Sequence, residues 1–194
     1  FAAIAGMPPQ YGLYAAIAAK ETAAVTRACD PEEAFLAALM QDVGLVILYR
    51  VFGEAYLQIL DSVQGDHRRL PEVEMEQLGI DHVRVGAEVA AKWKLPEPLV
   101  QAVRFHHDSS RADEQWRNLA RTIELSTQAA TGLMREFRDD ARAWFRTHVR
   151  EWFGLDEAKS DELLERIKEG ASELVSLFHL DLDDGPDVEG LLQK

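Results

Sequence analysis

The chain has 194 residues and a formal net charge of −13, from 34 acidic and 21 basic residues. Such a charge repels a phosphate backbone, so no nucleic-acid partner is expected. The single cysteine, Cys29, excludes an internal disulfide and a cysteine-rich zinc site, which fits a reducing cytoplasm. The sequence has no uninterrupted apolar run of about 18 residues, the length that a membrane span needs, so no membrane partner is expected either.

The first part of the sequence predicts buried helices. Residues 14–28 are rich in alanine and favour a core helix. Asp30 then gives the clearest helix start in the chain, because an aspartate cap is followed by Pro31 and two glutamates. The segment after it is apolar almost all round and is predicted to be buried. Residues 43–51 continue as a further helix, since no turn separates them from Met40.

The remaining sequence also predicts helices. Amphipathic segments follow one another to the C-terminus, separated by glycine and proline. These segments are residues 54–62, 73–78, 82–93, 97–106, 114–131, 135–153, 159–178 and a short tail near 188–192. Strand alternation, hairpin dipeptides and internal repeats do not occur in the sequence. The sequence therefore predicts an all-α fold.

Imidazoles and carboxylates near helix ends form the candidate site. A helical metal-dependent hydrolase needs such side chains to converge from several helices and hold one or two divalent ions. A single histidine near a helix end is more often a cap or a buried polar group, so each residue alone indicates little. His67 and His148 lie in charged, surface-like segments and receive no role. The candidates are Asp42 after a buried helix, His82 at the start of an amphipathic segment, and His106 and His107 at the end of the next one.

Together these segments resemble the HDOD family, a helical family of the HD superfamily that is related to the HD-GYP cyclic-di-GMP phosphodiesterases. The resemblance rests on residues 78–82, 85–88, 93–96 and 103–108, and on residues 30–44, which match the stretch with the His-Asp doublet of catalytic relatives. It implies a helical bundle of the HD-superfamily type over residues 30–182. Residues 1–29 would be the remnant of an upstream helical part, since the chain has no initiator Met and is expected to be a fragment of a longer protein. Residues 183–194 would be an acidic linker or tail toward a further domain.

The chain departs from the catalytic pattern of these relatives at their ligand positions. Gln41 stands where the histidine of the doublet would be, and Thr127 lies where the late aspartate is expected. No histidine precedes His67, so the first ligand of the superfamily is missing, and Tyr14 or a neighbour lies near its place. Glu124 is the carboxylate nearest to Thr127, but it lies on a different face of the helix. The residues that remain for a residual metal site or a polar network are Asp42, His82, His106 and His107.

The resemblance and these departures imply a non-catalytic bacterial signal-transduction module that relays or scaffolds through protein contacts, with no catalytic residue and no cofactor. The alternative is a metal-dependent phosphohydrolase acting on a cyclic dinucleotide or nucleotide, with one weakly held divalent ion. Members of the family often adjoin a GGDEF or receiver domain. An attached domain of that type, or a separate protein, is therefore the partner that the resemblance implies.

An aromatic stripe within residues 135–153 is the candidate contact surface. Its members alternate with arginines, and tryptophan and arginine are both enriched in protein interfaces. A helix packed on the core explains the same pattern. A purely structural dimerisation domain is therefore the third hypothesis, with a homodimer formed through this face. The residues of the stripe assigned to a partner face are Phe137, Trp144, Phe145 and Trp152.

Overall fold

The computed structural model describes residues 11–63, 66–134 and 139–177. All regular secondary structure in these ranges is helical, which confirms the predicted all-α fold. The helices are α1 (Tyr11–Thr26), α2 (Pro31–Met40), α3 (Val43–Phe52), α4 (Glu54–Ser62), α5 (Leu70–Leu78), α6 (His82–Lys92), α7 (Glu97–Phe105), α8 (Arg117–Met134), α9 (Asp139–Phe153) and α10 (Glu157–Leu177). Single 3-10 turns precede α5 and follow α7. The short helix predicted near residues 188–192 and the predicted tail lie outside the described ranges.

Local chemistry sets the helix ends. Asp30 Oδ1 accepts hydrogen bonds from the amides of Glu32 and Glu33 at 3.0 and 2.9 Å, so α2 begins where the sequence predicts. Helix α1 ends two residues earlier than predicted, because Arg27 has a φ of 56° that interrupts helical geometry. Helix α5 begins at Leu70 rather than at residue 73, because its first turn accommodates a proline.

Two groups of apolar side chains hold the helices together. The larger group joins α1, α2, α7, α8, α9 and α10. The smaller group joins α3, α4 and α5, and Val85 of α6 packs against it. Five alanines of α1 are fully buried, which allows α1 to pack closely against α2 and α8. Helix α1 shares the larger core with five later helices, and the division after residue 29 stays a prediction.

One stretch of the described residues, Pro31–Phe52, is long and apolar enough to cross a membrane by length and composition alone. It comprises α2 and α3, and the core helices of soluble proteins pass the same test. The two helices meet at Gln41 and Asp42, whose polar side chains belong to the candidate site described below.

Helices α3 and α6 cross with almost no space between their backbones. A Cβ atom placed on Gly44 would lie 1.9 Å from the backbone oxygen of His82. One placed on Gly86 would lie 3.2 Å from the nitrogen of Gly44. Only glycine at position 44 permits this approach, because any side chain would overlap the neighbouring backbone. The crossing brings Asp42, just before α3, next to the first residue of α6.

Candidate functional site

The four residues that the sequence singles out as a residual cluster lie together in the fold. His106 Nε2 is 3.4 Å from Asp42 Oδ1, and His82 Nε2 is 3.8 Å from the same oxygen. His107 Nε2 is 3.2 Å from His82 Nε2. One nitrogen from each of the three imidazoles lies within 4.8 Å of the others. We refer to Asp42, His82, His106 and His107 as the imidazole cluster.

Each member of the imidazole cluster is placed by the end of a helix. Asp42 occupies the N-cap position of α3 but makes no capping hydrogen bond, so its carboxylate is available to the imidazoles. His82 begins α6, whereas His106 and His107 follow α7. His82 and His106 are fully buried, while the Asp42 side chain is 20% exposed. Solvent therefore reaches the cluster from the side of Asp42 and the half-buried His107.

Hydrogen bonds fix two of the imidazole rings. His82 Nδ1 lies 2.7 Å from Glu74 Oε2, and His106 Nδ1 lies 2.7 Å from the carbonyl oxygen of Val103. Both of these oxygens are acceptors, so in the neutral rings each Nδ1 carries the hydrogen and each Nε2 presents a lone pair. A histidine anchored through one nitrogen to a carboxylate or carbonyl, with the other nitrogen free, is typical of metal sites.

The residues of the imidazole cluster fit a single divalent ion. His106 Nε2 is buried and has no well-formed hydrogen bond among the described residues. It lies 3.4 Å from Asp42 Oδ1, a contact that is an ion pair only when both ring nitrogens carry hydrogen. A tetrahedral ion with ligand bonds of about 2.0–2.1 Å separates its ligands by about 3.4 Å. The separations of 3.2, 3.4 and 3.8 Å within the cluster bracket that value.

The charges within the imidazole cluster influence one another. Burial opposes ionisation of Asp42, but its contact with His106 and the charges of the other imidazoles outweigh burial and hold the pKa of the carboxyl well below its usual range. Burial and the neighbouring imidazoles lower the pKa of His107 well below 6.5. Burial acts on His82 as well, but its hydrogen bond to Glu74 and the charge of that carboxylate raise its pKa. The site therefore favours an ionised Asp42 beside a neutral His107.

Gln41 and Thr127, the two positions that the resemblance marks as departures from a ligand set, are hydrogen-bonded to each other. Thr127 Oγ1 lies 3.1 Å from Gln41 Oε1 and 3.0 Å from the carbonyl oxygen of Ile123, so both acceptors share its one hydrogen. Gln41 Nε2 donates to Asp42 Oδ2 at 3.1 Å. Both Gln41 and Thr127 are buried. Uncharged side chains thus fill this side of the site.

The sequence predicts Tyr14 or a neighbour near this side of the site, and Tyr11 is the tyrosine that borders it. Its hydroxyl donates to the carbonyl oxygen of Thr127 at 3.3 Å, and its ring stacks on His67 with centroids 5.3 Å apart. Tyr14 belongs to the hydrophobic core instead. His67 is buried, not at the surface as its charged neighbours in the sequence indicate, because its ring packs on Tyr11.

Glu74 is a further residue of the site, and the sequence pattern does not single it out. It is fully buried, and its Oε2 accepts hydrogen bonds from His82 N and Nδ1, both at 2.7 Å. Its Oε1 accepts the hydroxyl hydrogen of Tyr56. In the sequence Glu74 lies one helical turn after Leu70 and one before Leu78, on the apolar face of α5. This position on the apolar face is the sequence signal for a buried polar role of Glu74, because a buried carboxylate requires hydrogen-bond partners.

The predicted partner face is largely packed onto the core. Phe145 is fully buried, so it belongs to the core and has no surface with which to contact a partner. Trp144 and Trp152 are half-buried against the same core. Trp144 stacks on His148 with centroids 3.9 Å apart, which gives this histidine a packing role. Phe137 lies outside the described residues.

Residues 10–109 match the HDOD domain family. Among solved structures, a presumed phosphohydrolase from Shewanella amazonensis matches with a TM-score of 0.65 and 24% identity. The match covers 83% of this chain and 59% of the phosphohydrolase chain. The MmoQ response regulator from Methylococcus capsulatus matches with a TM-score of 0.64 and 24% identity, over 80% of this chain and 59% of the regulator chain. An HDOD domain protein of unknown function from Geobacter sulfurreducens matches with a TM-score of 0.65 and 21% identity, over 84% of this chain and 61% of the Geobacter chain.

An uncharacterised protein from Treponema pallidum is 26% identical over 95 residues, which are 48% of this chain and 18% of that protein. The chain thus spans less than two thirds of each of these relatives, and at such identities the solved structures show a shared fold. The match to the HDOD family covers more than half of the 194 residues and includes the whole imidazole cluster. The chain belongs to the HDOD domain family.

Proposed function

We propose that this chain is a non-catalytic bacterial signal-transduction module that relays or scaffolds through protein contacts. The observation that carries the proposal is the hydrogen bond between Gln41 and Thr127. In catalytic relatives these positions would supply ligands, and hydrolysis with two metal ions depends on both ions being held. Here two neutral side chains satisfy each other, and Gln41 also binds a carboxylate oxygen of Asp42.

The setting proposed for this module is the bacterial cytoplasm, beside an attached or separate signalling domain of the GGDEF or receiver type. A net charge of −13 and a single cysteine suit a reducing, soluble environment. The fold shared with a response regulator supports a signalling context. A domain that binds its partner through protein contacts needs no catalytic residue of its own.

The imidazole cluster favours a second function, that of a metal-dependent phosphohydrolase acting on a cyclic dinucleotide or nucleotide. Asp42, His82, His106 and His107 would hold one divalent ion, since their ligand atoms have suitable spacing. A divalent ion bound there would lower the pKa of a water molecule bound to it and would polarise phosphoryl oxygens. The exposed side of Asp42 is where a phosphodiester would approach.

Metal content and hydrolysis separate the two functions. The chain would be purified without chelator or nickel affinity, analysed for metals and assayed with cyclic di-GMP. His106→Ala removes a member of the imidazole cluster, and His148→Ala is the matched control because His148 lies on α9, stacked on Trp144. Absence of turnover in the wild-type chain, with or without bound metal, supports the non-catalytic module. Turnover that needs one equivalent of metal and is lost in His106→Ala alone would establish the second function and overturn the first.

A further inference from the structure

A buried chain of hydrogen bonds leads from α4 through α5 to the imidazole cluster. Tyr56 on α4 donates its hydroxyl hydrogen to Glu74 Oε1 on α5. Glu74 Oε2 accepts from the backbone nitrogen and from Nδ1 of His82 on α6. Tyr56, Glu74 and His82 are all 0% exposed, so bulk water does not compete for these bonds. These hydrogen bonds therefore connect the smaller hydrophobic core to the imidazole cluster.

The two bonds from His82 to Glu74 determine how the imidazole ring is placed. One bond fixes the backbone at the start of α6 and the other fixes the plane of the ring, and both end on the same oxygen. A ring held at Nδ1 in this way directs Nε2 to the opposite side. There Nε2 lies 3.8 Å from Asp42 Oδ1 and 3.2 Å from His107 Nε2.

Tyr56 determines which carboxylate oxygen of Glu74 is available to His82. By donating to Oε1, the Tyr56 hydroxyl leaves Oε2 for the two His82 nitrogens. Without that hydroxyl, Oε1 would be a buried acceptor with no donor in its present position, and the carboxylate would gain freedom to rotate. Tyr56 packs in the smaller core with Ile59 and Leu60, so its own position is fixed by apolar contacts.

We propose that Tyr56 and Glu74 are positioning residues that hold His82 with Nδ1 protonated and Nε2 directed into the imidazole cluster, and that they thereby set the affinity of the cluster for a divalent ion. The statement about affinity rests on the second function proposed above. The statement about the His82 ring does not, because it concerns the chain without any ion. Tyr56 and Glu74 act only through His82, since carboxylates and carbonyls behind metal-bound imidazoles orient the ring and tune its basicity.

Three variants test the proposal. Tyr56→Phe removes one hydroxyl and keeps the ring volume. Glu74→Gln keeps the shape but leaves one acceptor oxygen, for which Tyr56 and His82 then compete. Tyr14→Phe is the matched control, because Tyr14 is 2% exposed and its hydroxyl has no hydrogen-bond partner among the described residues. Circular dichroism checks that each variant is folded.

The first readout is NMR of the His82 ring nitrogens in the ion-free chain at alkaline pH. We expect the Nδ1–H tautomer in wild type and Tyr14→Phe, and a mixture of tautomers in Glu74→Gln. Solvent exchange of the Nδ1 hydrogen should accelerate in Tyr56→Phe but not in Tyr14→Phe. The second readout is titration with Zn²⁺, in which Glu74→Gln should bind about 10- to 100-fold more weakly than wild type and Tyr56→Phe should show a smaller loss.

The two readouts distinguish failure of this proposal from failure of the second function. If the His82 tautomer and its hydrogen exchange are unchanged in folded Glu74→Gln and Tyr56→Phe, the positioning role is overturned. If they change as expected but the wild-type chain binds no Zn²⁺, the positioning of the ring stands and the second function fails. Equal Zn²⁺ affinity in all the variants would overturn the statement about affinity. Should Glu74→Gln not fold, hydrogen exchange in Tyr56→Phe against Tyr14→Phe decides the positioning role.

Discussion

The side-chain oxygen of Gln41 lies 3.1 Å from the hydroxyl of Thr127, a residue 86 positions further along the chain. This hydrogen bond joins the junction of α2 and α3 to the middle of α8, and both of its ends are buried. Neither side chain carries a charge. The fold at this point is therefore maintained by a neutral hydrogen bond beside an ionised Asp42, to which Gln41 Nε2 also donates.

Thr127→Val tests the contribution of this bond to stability. Valine keeps the shape of threonine but removes the donor, so the buried amide oxygen of Gln41 loses its partner. We expect the free energy of unfolding to fall by about 1–3 kcal/mol, measured by chemical denaturation. Thr22→Val is the control, because Thr22 is 0% exposed and its hydroxyl has no partner among the described residues. Equal losses in the two variants would show that the hydrogen that Thr127 shares between Gln41 and Ile123 contributes nothing specific.

The close crossing of α3 and α6 gives a second prediction. In Gly44→Ala the new methyl group would overlap the backbone oxygen of His82, at 1.9 Å, so the two helices must separate. We expect a loss of about 3 kcal/mol or more in the free energy of unfolding, because a rigid backbone cannot move aside as a side chain does. The separation of Asp42 from His82 should also weaken any binding of Zn²⁺ by the folded fraction.

Gly12→Ala is the control for this glycine variant. A Cβ atom on Gly12, in the first turn of α1, meets nothing within 4 Å among the described residues. Alanine favours the helix over glycine, so this variant should be unchanged or more stable by up to about 1 kcal/mol. A similar destabilisation in both variants would contradict the argument from close packing.

Local sequence signals were sufficient to predict the helices. The cap formed by Asp30 and the proline after it place the start of α2, and apolar periodicity places α10. The observed helix ends differ from the predicted ones where the backbone conformation of a single residue ends the helix, as at Arg27. The periodicity of apolar residues does not predict such a conformation. The pattern also places Asp42 and His82 at helix ends, but only the resemblance groups them into one site.

The surroundings of the site could not be predicted in the same way. The bond between Gln41 and Thr127 depends on how α8 packs on the rest of the chain, which no local pattern describes. The pattern does not single out Glu74, because helix α5 is weakly amphipathic and has two other glutamates, Glu72 and Glu76. The charged neighbours of His67 predict a surface position, but its burial depends on a residue distant in the sequence, Tyr11, whose ring stacks on it.

Glu124 gives a prediction about pH. Its Oε2 accepts a hydrogen bond from the amide of Ser109 at 2.9 Å. Burial, assisted by the charge of Asp108, raises the pKa of this carboxyl above its ordinary value of 4.5, although the bond to Ser109 opposes the shift. A carboxyl with a higher pKa in the folded chain than in the unfolded chain stabilises the fold most at acid pH, and this contribution is lost as pH rises through the folded pKa.

Glu124→Gln should remove this dependence while keeping an acceptor for Ser109. We expect the variant to be more stable than the wild-type chain at neutral pH, and the difference to shrink as the pH falls toward 4.5. Thermal unfolding over this pH range measures the effect. Glu151→Gln, at an exposed position of α9, serves as the control. A difference that grows as the pH falls would contradict the sign argued here.

Trp144 gives the last prediction, which concerns association between copies of this chain. Its indole stacks on His148 and is only half-buried, so the remaining surface is available for contact. If this face joins two copies, the wild-type mass should increase with concentration in analytical ultracentrifugation, and Trp144→Glu should abolish the increase without loss of helicity. Trp93→Glu is the matched control, because Trp93 is 58% exposed and follows α6 rather than belonging to α9. A wild-type chain that stays monomeric at every concentration would contradict dimerisation, and Phe145 cannot substitute in this test because removing a fully buried ring alters the core itself.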